Sequence, residues 1–158
     1  MPIEMIKFKF LKLSSYIPLL FLVALGFSLL FFRVFPVRIF HNPTIAVGLG
    51  IFFFIIGTTL AVLSELTRHR MFSIMSDALT CEDFESGIYK YSRHAGTFGF
   101  LLLFFGFGFV LNSIAVIIVV FLHFVLLSLV FIPIIEHEMK KACGDSYRKY
   151  CENVRMWI

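Results

Sequence analysis

Four long runs of apolar residues divide the chain, and each is close to the length of a membrane-crossing helix. They cover residues 13–32, 42–64, 95–111 and 113–135. A helix needs about 20 apolar residues to cross the hydrocarbon core of a bilayer. The pattern therefore predicts an all-α integral membrane protein with about four transmembrane helices. Only Asn112 and Ser113 interrupt the last two runs, so these runs are predicted to form a tight antiparallel hairpin.

The composition agrees with a membrane protein. Hydrophobic residues make up 59% of the 158 residues, and 22 of them are phenylalanines; the mean hydropathy is +0.93. A chain of this length and composition predicts a single membrane domain, residues 1–158. The first run could be a signal peptide, but it is too long and no small-residue cleavage site follows, so we interpret it as a retained helix.

Lysines and arginines predict the orientation of these helices. They concentrate in the N-terminal segment, in the loop 65–94 and in the tail 136–158, whereas only Arg33 and Arg38 fall in the other connections. By the positive-inside rule, the protein is predicted to be a multi-pass membrane protein with both termini cytoplasmic. The tail 136–158 is predicted to form a cytoplasmic C-terminal helix that Gly144 breaks or kinks. We attribute the net charge of +4 to the cytoplasmic lysines and arginines that set the orientation and attract anionic lipids. Nucleic-acid binding is not expected.

The predicted hairpin brings two cytoplasmic segments together, because it begins near Arg93 and returns near Glu136. Arg93 and His94 stand at the start of the third run, where the first N–H groups of a helix can face an anion. The segment therefore indicates a site for a charged small molecule. The alternative is an interfacial anchor, with the arginine reaching lipid headgroups and Tyr89 belonging to an aromatic belt.

Other polar residues have structural interpretations. His123, within the fourth run, is predicted to be a neutral, hydrogen-bonded packing residue. Glycine pairs within the runs, Gly48 with Gly50 and Gly106 with Gly108, are interpreted as helix-packing positions.

No metal site is predicted, because the histidine–glutamate pair at 137–138 lacks the second histidine of a zinc-protease motif. The three cysteines are predicted to be free thiols in a reducing compartment; they are Cys81, Cys143 and Cys151.

Two segments resemble the paired signatures of the isoprenylcysteine carboxyl methyltransferase family, which is related to phospholipid N-methyltransferases. The first signature, Gly-x-Tyr-x-x-x-Arg-His-Pro-x-Tyr-x-Gly, is matched by Gly87, Tyr89, Arg93, His94 and Gly99. The second, Glu-Glu-x-x-Leu-x-x-x-Phe-Gly-x-x-Tyr-x-x-Tyr-x-x-x-Val, is matched by Glu136, Gly144, Tyr147, Tyr150 and Val154. The resemblance covers about half of the chain, with the two motifs in the family's order.

The resemblance implies S-adenosylmethionine as cofactor and a lipidic or prenylated substrate, methylated on a carboxylate, thiol or amine at the cytoplasmic face. By position it implies that Arg93 and Glu136 are catalytic. It also implies a set of cofactor-binding residues: Tyr89, His94, Ala95, Gly96, Thr97, Glu136, Tyr147 and Tyr150.

The chain departs from these signatures at several positions, among them Ala95, Thr97 and Ile135, which replace a proline, a tyrosine and a glutamate. These departures support a first alternative, a non-catalytic membrane protein that retains the fold. A second alternative is a steroid-reductase-like enzyme that uses a nicotinamide cofactor.

Overall fold

The computed structural model describes residues 3–74 and 86–157, and these residues are almost entirely helical. The helices are α1 (Ile3–Val34), α2 (Pro43–Ile74), α3 (Ala95–Val110), α4 (Ile114–Leu126) and α5 (Ile132–Asn153). A short 3-10 helix at Gly87–Lys90 precedes α3, and a π-helical segment at Leu127–Phe131 joins α4 to α5. The described part of the chain contains no β-strand beyond an isolated bridge between Arg38 and Ser113. The all-α prediction is confirmed for these residues.

Two segments are long and apolar enough to cross a membrane, namely Pro43–Arg68 and Ile114–Lys141. Two shorter apolar helices, Leu19–Val34 and Ala95–Val110, accompany them. This pattern supports a membrane protein.

The last apolar run continues into the tail, and the predicted C-terminal helix is the part of α5 that follows Gly144. The path from α4 to α5 runs through the π-helical segment, and Pro133 lies in the first turn of α5. The predicted break at Gly144 is present: this residue has φ 56° and ψ −128° inside α5. A conformation with positive φ suits glycine, which has no Cβ to clash with the backbone.

Helices α2 and α3 pack closely through glycines. A Cβ atom on Gly57 would lie 2.7 Å from the carbonyl oxygen of Gly99, and one on Gly50 would lie 2.9 Å from that of Gly106. Small residues allow backbones in apolar surroundings to approach this closely. The packing interpretation is therefore confirmed for Gly50 and Gly106, whereas Gly48 has no neighbour within 4 Å of a Cβ position.

The turn between α3 and α4 is held by Asn112, which has a φ of 49°. Its side-chain oxygen accepts hydrogen bonds from the backbone N–H groups of Ile39 (3.1 Å) and Phe40 (2.9 Å). Its side-chain nitrogen donates to the Phe40 carbonyl oxygen at 2.8 Å. Ser113 then caps α4 by accepting from the N–H of Val116. The predicted hairpin is thus present, and its tip is fastened to the connection between α1 and α2.

An Asn112→Ala substitution is expected to lower the free energy of unfolding by about 2–4 kcal/mol. It removes three hydrogen bonds at about 1 kcal/mol each and places alanine at positive φ. Thermal unfolding in detergent measures the effect. Asn112→Gly tolerates the positive φ but lacks the amide, so it should recover only part of the loss; full recovery would show that the hydrogen bonds contribute nothing.

Helix α1 packs mainly on α4, around a core of Phe21, Leu101 and Leu127. His123 is buried beside this core, with its ring centroid 4.6 Å from that of Phe21 and 6.4 Å from that of Phe104. The predicted packing role is confirmed. The predicted hydrogen bond is not, because His123 Nε2 has no partner among the described residues.

The free-thiol prediction has a divided outcome. Cys151 is a free thiol, but Cys143 is disulfide-bonded, so the prediction is wrong for that residue. Cys81 lies outside the described residues.

Candidate functional site

The central feature of the site is a partly buried carboxylate that contacts two consecutive basic residues. Glu136 Oε1 lies 3.1 Å from Arg93 Nη1 and 3.2 Å from His94 Nε2. The exposed fractions of the three side chains are 13%, 11% and 9%, respectively. The predicted proximity of Arg93 and Glu136 is therefore present in the structure. In such a shielded position a charge-assisted contact is stronger than at a protein surface.

The turn that precedes α3 places Tyr89 against α2. Gly87 opens this turn with a φ of 55°, and a Cβ atom there would lie 2.6 Å from Thr67 Oγ1. Both observations require glycine. The Tyr89 hydroxyl lies 2.7 Å from Ser64 Oγ, so a hydrogen bond connects the turn to α2.

The C-terminal residues fold back over the start of α3. The N–H of Arg93 donates to the carbonyl oxygen of Arg155 at 3.0 Å, and Ser92 Oγ donates to that of Met156 at 3.4 Å. The Trp157 ring then lies between His94 and Phe124, with centroid separations of 6.2 and 5.3 Å.

Two tyrosines of α5 complete the cluster. Tyr150 donates its hydroxyl hydrogen to the carbonyl oxygen of Tyr89 at 2.8 Å, and its ring centroid lies 5.7 Å from that of Tyr147. Burial raises the pKa of Tyr147, and the negative charge of Glu136 raises it further. Burial also raises the pKa of Tyr89, against the opposing effect of its hydrogen bond with Ser64. Tyr147 and Tyr89 therefore remain neutral phenols at physiological pH.

The first turn of α3 contains Ala95, Gly96 and Thr97. Ala95 and Thr97 are buried, and a Cβ atom on Gly96 would lie 2.5 Å from Ser64 Oγ. Helix packing therefore explains the glycine at position 96, because the absence of a side chain allows α3 to approach α2 at Ser64. The first N–H groups of a helix have no partner within the helix itself, so this turn offers backbone donors beside Arg93.

One donor in this cluster is unused. Arg93 Nε is buried and has no hydrogen-bond partner among the described residues. A buried N–H without an acceptor costs about 1–3 kcal/mol, and this one belongs to a cation. Such an orphaned group favours an anionic ligand that supplies the missing acceptor.

The chain was compared with known families and structures. The model of the family described as "Protein of unknown function (DUF1295)" matches residues 10–154. The chain belongs to this family. No curated protein and no solved structure matches it.

Membership in the DUF1295 family corrects the sequence-based assignment. The match spans nearly the whole chain, whereas the resemblance to isoprenylcysteine carboxyl methyltransferases rested on two short motifs, and nothing in the comparisons supports that family. The roles that the resemblance implied for Arg93, His94 and Glu136 are not tested by this match and stay predictions.

The predicted site residues lie together at one end of the helices, beside the start of α3. Sequence reasoning missed two contributors, Ser64 and Trp157. Ser64 follows Gly50 and Gly57 at intervals of seven residues, which indicates the same helix face. Trp157 is the single tryptophan of the chain. Among the described residues, no group of three histidine, cysteine or acidic side chains could hold a metal ion.

Proposed function

We propose that this DUF1295 protein is a membrane-embedded enzyme that binds a soluble cofactor beside Arg93 and modifies a lipidic acceptor. The observation that carries the proposal is the partly buried contact of Glu136 with Arg93 and His94 at the start of α3. Three ionisable groups shielded from water beside an otherwise apolar helix bundle are costly to maintain, and such clusters mark functional sites.

The proposal includes a topology. The four apolar helices cross the membrane with both termini in the cytoplasm, which places the site at the cytoplasmic face. The distribution of lysine and arginine supports this orientation. A soluble cofactor then reaches the site from the cytoplasm, while an acceptor with a hydrocarbon body enters from the bilayer.

S-adenosylmethionine is the proposed cofactor. It carries a carboxylate, and Arg93 Nε together with the N–H groups at the start of α3 would hold such a group. It also carries a sulfonium, a cation of the kind that aromatic faces such as those of Tyr89 and Trp157 attract. The residues present therefore fit this group. When bound, it supplies an activated methyl group.

The protein's own contribution would be positioning and exclusion of water. Glu136 holds Arg93 and His94 in fixed orientations, and Trp157 covers His94 on the side of Phe124. Orienting two reactants in this way lowers the entropic part of the barrier, which is a large contribution in group-transfer reactions. A neutral imidazole at His94 would be placed to accept a proton from a thiol or amine of the acceptor.

A binding measurement tests the proposal. Purified protein in detergent is titrated with S-adenosylmethionine, with the fluorescence of the single Trp157 as readout. We expect saturable binding in the micromolar range that falls at least tenfold in Arg93→Lys, because lysine cannot reproduce the planar guanidinium. Arg148→Ala is the matched control, since Arg148 is 71% exposed. Radiolabelled donor should then label an organic-soluble product from a lipid extract.

A second candidate, a nicotinamide-dependent reductase, is favoured by a specific observation. A hydride-transfer reaction requires a proton donor for the reduced substrate, and Tyr147 is a buried neutral phenol influenced by Glu136. The same titration with NADPH separates the candidates. Binding of NADPH alone would replace the methyltransferase with the reductase, and binding of neither cofactor would indicate a non-catalytic member of the fold.

A further inference from the structure

Two polar atoms deep in the helix bundle lack hydrogen-bond partners. His123 Nε2 and Ser128 Oγ are both buried, and neither has a partner among the described residues. Both residues lie inside the apolar segment Ile114–Lys141. At that depth no bulk water is available to satisfy them, so each orphaned group is costly.

The missing partner of Ser128 is unusual for this molecule. Other hydroxyls satisfy themselves by donating to the carbonyl oxygen four residues earlier, as Ser28, Thr59 and Thr67 do at 2.7–2.8 Å. Ser128 instead lies in the π-helical segment Leu127–Phe131, where the regular ladder is interrupted. Such π-helical turns are frequent at functional sites.

The surroundings of His123 are aromatic and apolar. His123 is 6% exposed, and its ring lies against Phe21 of α1 and Phe104 of α3. Phe21 also contacts Phe100, with centroids 5.4 Å apart. These rings form the seam between α1 and α3. In apolar surroundings, a hydrocarbon chain can replace such contacts without a large hydrophobic penalty.

We propose that the interior between α1, α3 and α4 binds an elongated lipid whose distal hydroxyl or carbonyl oxygen hydrogen-bonds to His123. The residues from His123 to Glu136 lie on one continuous helical path, which spans about 20 Å at ~1.5 Å per residue. The lipid therefore carries two polar groups separated by about this distance. One group reaches the Arg93–Glu136 cluster, and the other reaches His123.

This inference deepens the proposed function, because it rests on a lipidic acceptor entering from the bilayer. It defines that acceptor as a lipid with oxygen functions at both ends. A hydroxyl suits His123 in either tautomer, since it can donate to a bare ring nitrogen or accept from an N–H.

The test compares palmitate with ω-hydroxypalmitate, which differ only in the terminal hydroxyl. Each is titrated against purified protein without any cofactor, with Trp157 fluorescence as readout. We expect ω-hydroxypalmitate to bind roughly tenfold more tightly, the size of one or two good hydrogen bonds. Because no cofactor is present, the result does not depend on whether the protein transfers a methyl group or a hydride.

Two variants identify the source of the preference. His123→Phe keeps an aromatic ring against Phe21 and Phe104, so it should fold, and it should abolish the preference for ω-hydroxypalmitate over palmitate. Ser28→Ala is the matched control, because the Ser28 hydroxyl is already bonded to Ala24 and should leave the preference intact. Equal binding of the two lipids by the unmodified protein would overturn the proposal, as would a preference that survives in His123→Phe.

Discussion

A Glu136→Gln variant is expected to lose at least about a hundredfold in turnover and most of its cofactor binding. Glu136 Oε1 faces donors from both Arg93 and His94. A glutamine can still offer one oxygen to both donors but carries no negative charge, so Arg93 would keep its charge without a carboxylate beside it. Turnover with labelled donor and lipid extract, together with Trp157 fluorescence on cofactor addition, measures the loss.

Destabilisation must be separated from a catalytic effect in this variant, because breaking a buried ion pair costs about 3–5 kcal/mol. Glu136→Asp keeps the charge and should retain more of the fold while still losing turnover, since the shorter side chain cannot reach both partners. Glu138→Gln is the control on the same helix: Glu138 pairs with Lys141, which is 60% exposed, and surface pairs contribute little. Full activity in Glu136→Gln would remove this carboxylate from the mechanism.

Part of the fold could be predicted from the sequence, and part could not. The all-α class follows from the lengths of the apolar runs, and the hairpin follows from the polar break at Asn112. The π-helical segment at Leu127–Phe131 was not predictable, because its residues have ordinary helical preferences and only packing around Leu127 distinguishes them. The fold-back of the C-terminal residues onto Arg93 depends on backbone hydrogen bonds, which leave no side-chain pattern.

The part of the site that could be predicted is the pair of charged residues at the two ends of the apolar hairpin, because a charge beside a long apolar run needs a partner. Arg93 and Glu136 flank the hairpin, so the topology alone brings them together. Ser64 could not be identified in the same way, because its role depends on the position of Tyr89 in a turn that requires a positive φ at Gly87. The unused donor at Arg93 Nε is likewise a property of the assembled structure.

The assignment to isoprenylcysteine carboxyl methyltransferases was wrong because two short motifs are weak evidence for a family. Tyrosines, glycines and an arginine–histidine pair at suitable spacings can arise from the needs of helix packing, as Gly96 against Ser64 demonstrates. An identical motif residue can therefore serve the fold of one family and the cofactor of another. The proposed enzymatic function therefore rests on the geometry of the assembled cluster and not on the sequence of its motifs.

That geometry depends on the close contact of α2 with α3, which makes Gly57→Ala the most informative substitution away from the site. Its Cβ would lie 2.7 Å from the Gly99 carbonyl oxygen and 2.8 Å from the N of Leu103, both backbone atoms that cannot rotate away. The helices must separate, and overpacking of this kind costs about 1–3 kcal/mol. Because α3 begins with Ala95 beside Arg93, the separation should also weaken cofactor binding. Gly48→Ala on the same helix meets nothing within 4 Å and should leave both properties unchanged. Thermal unfolding in detergent with Trp157 fluorescence compares the two variants, and equal unfolding temperatures would show that the glycine contact does not hold α3 in place.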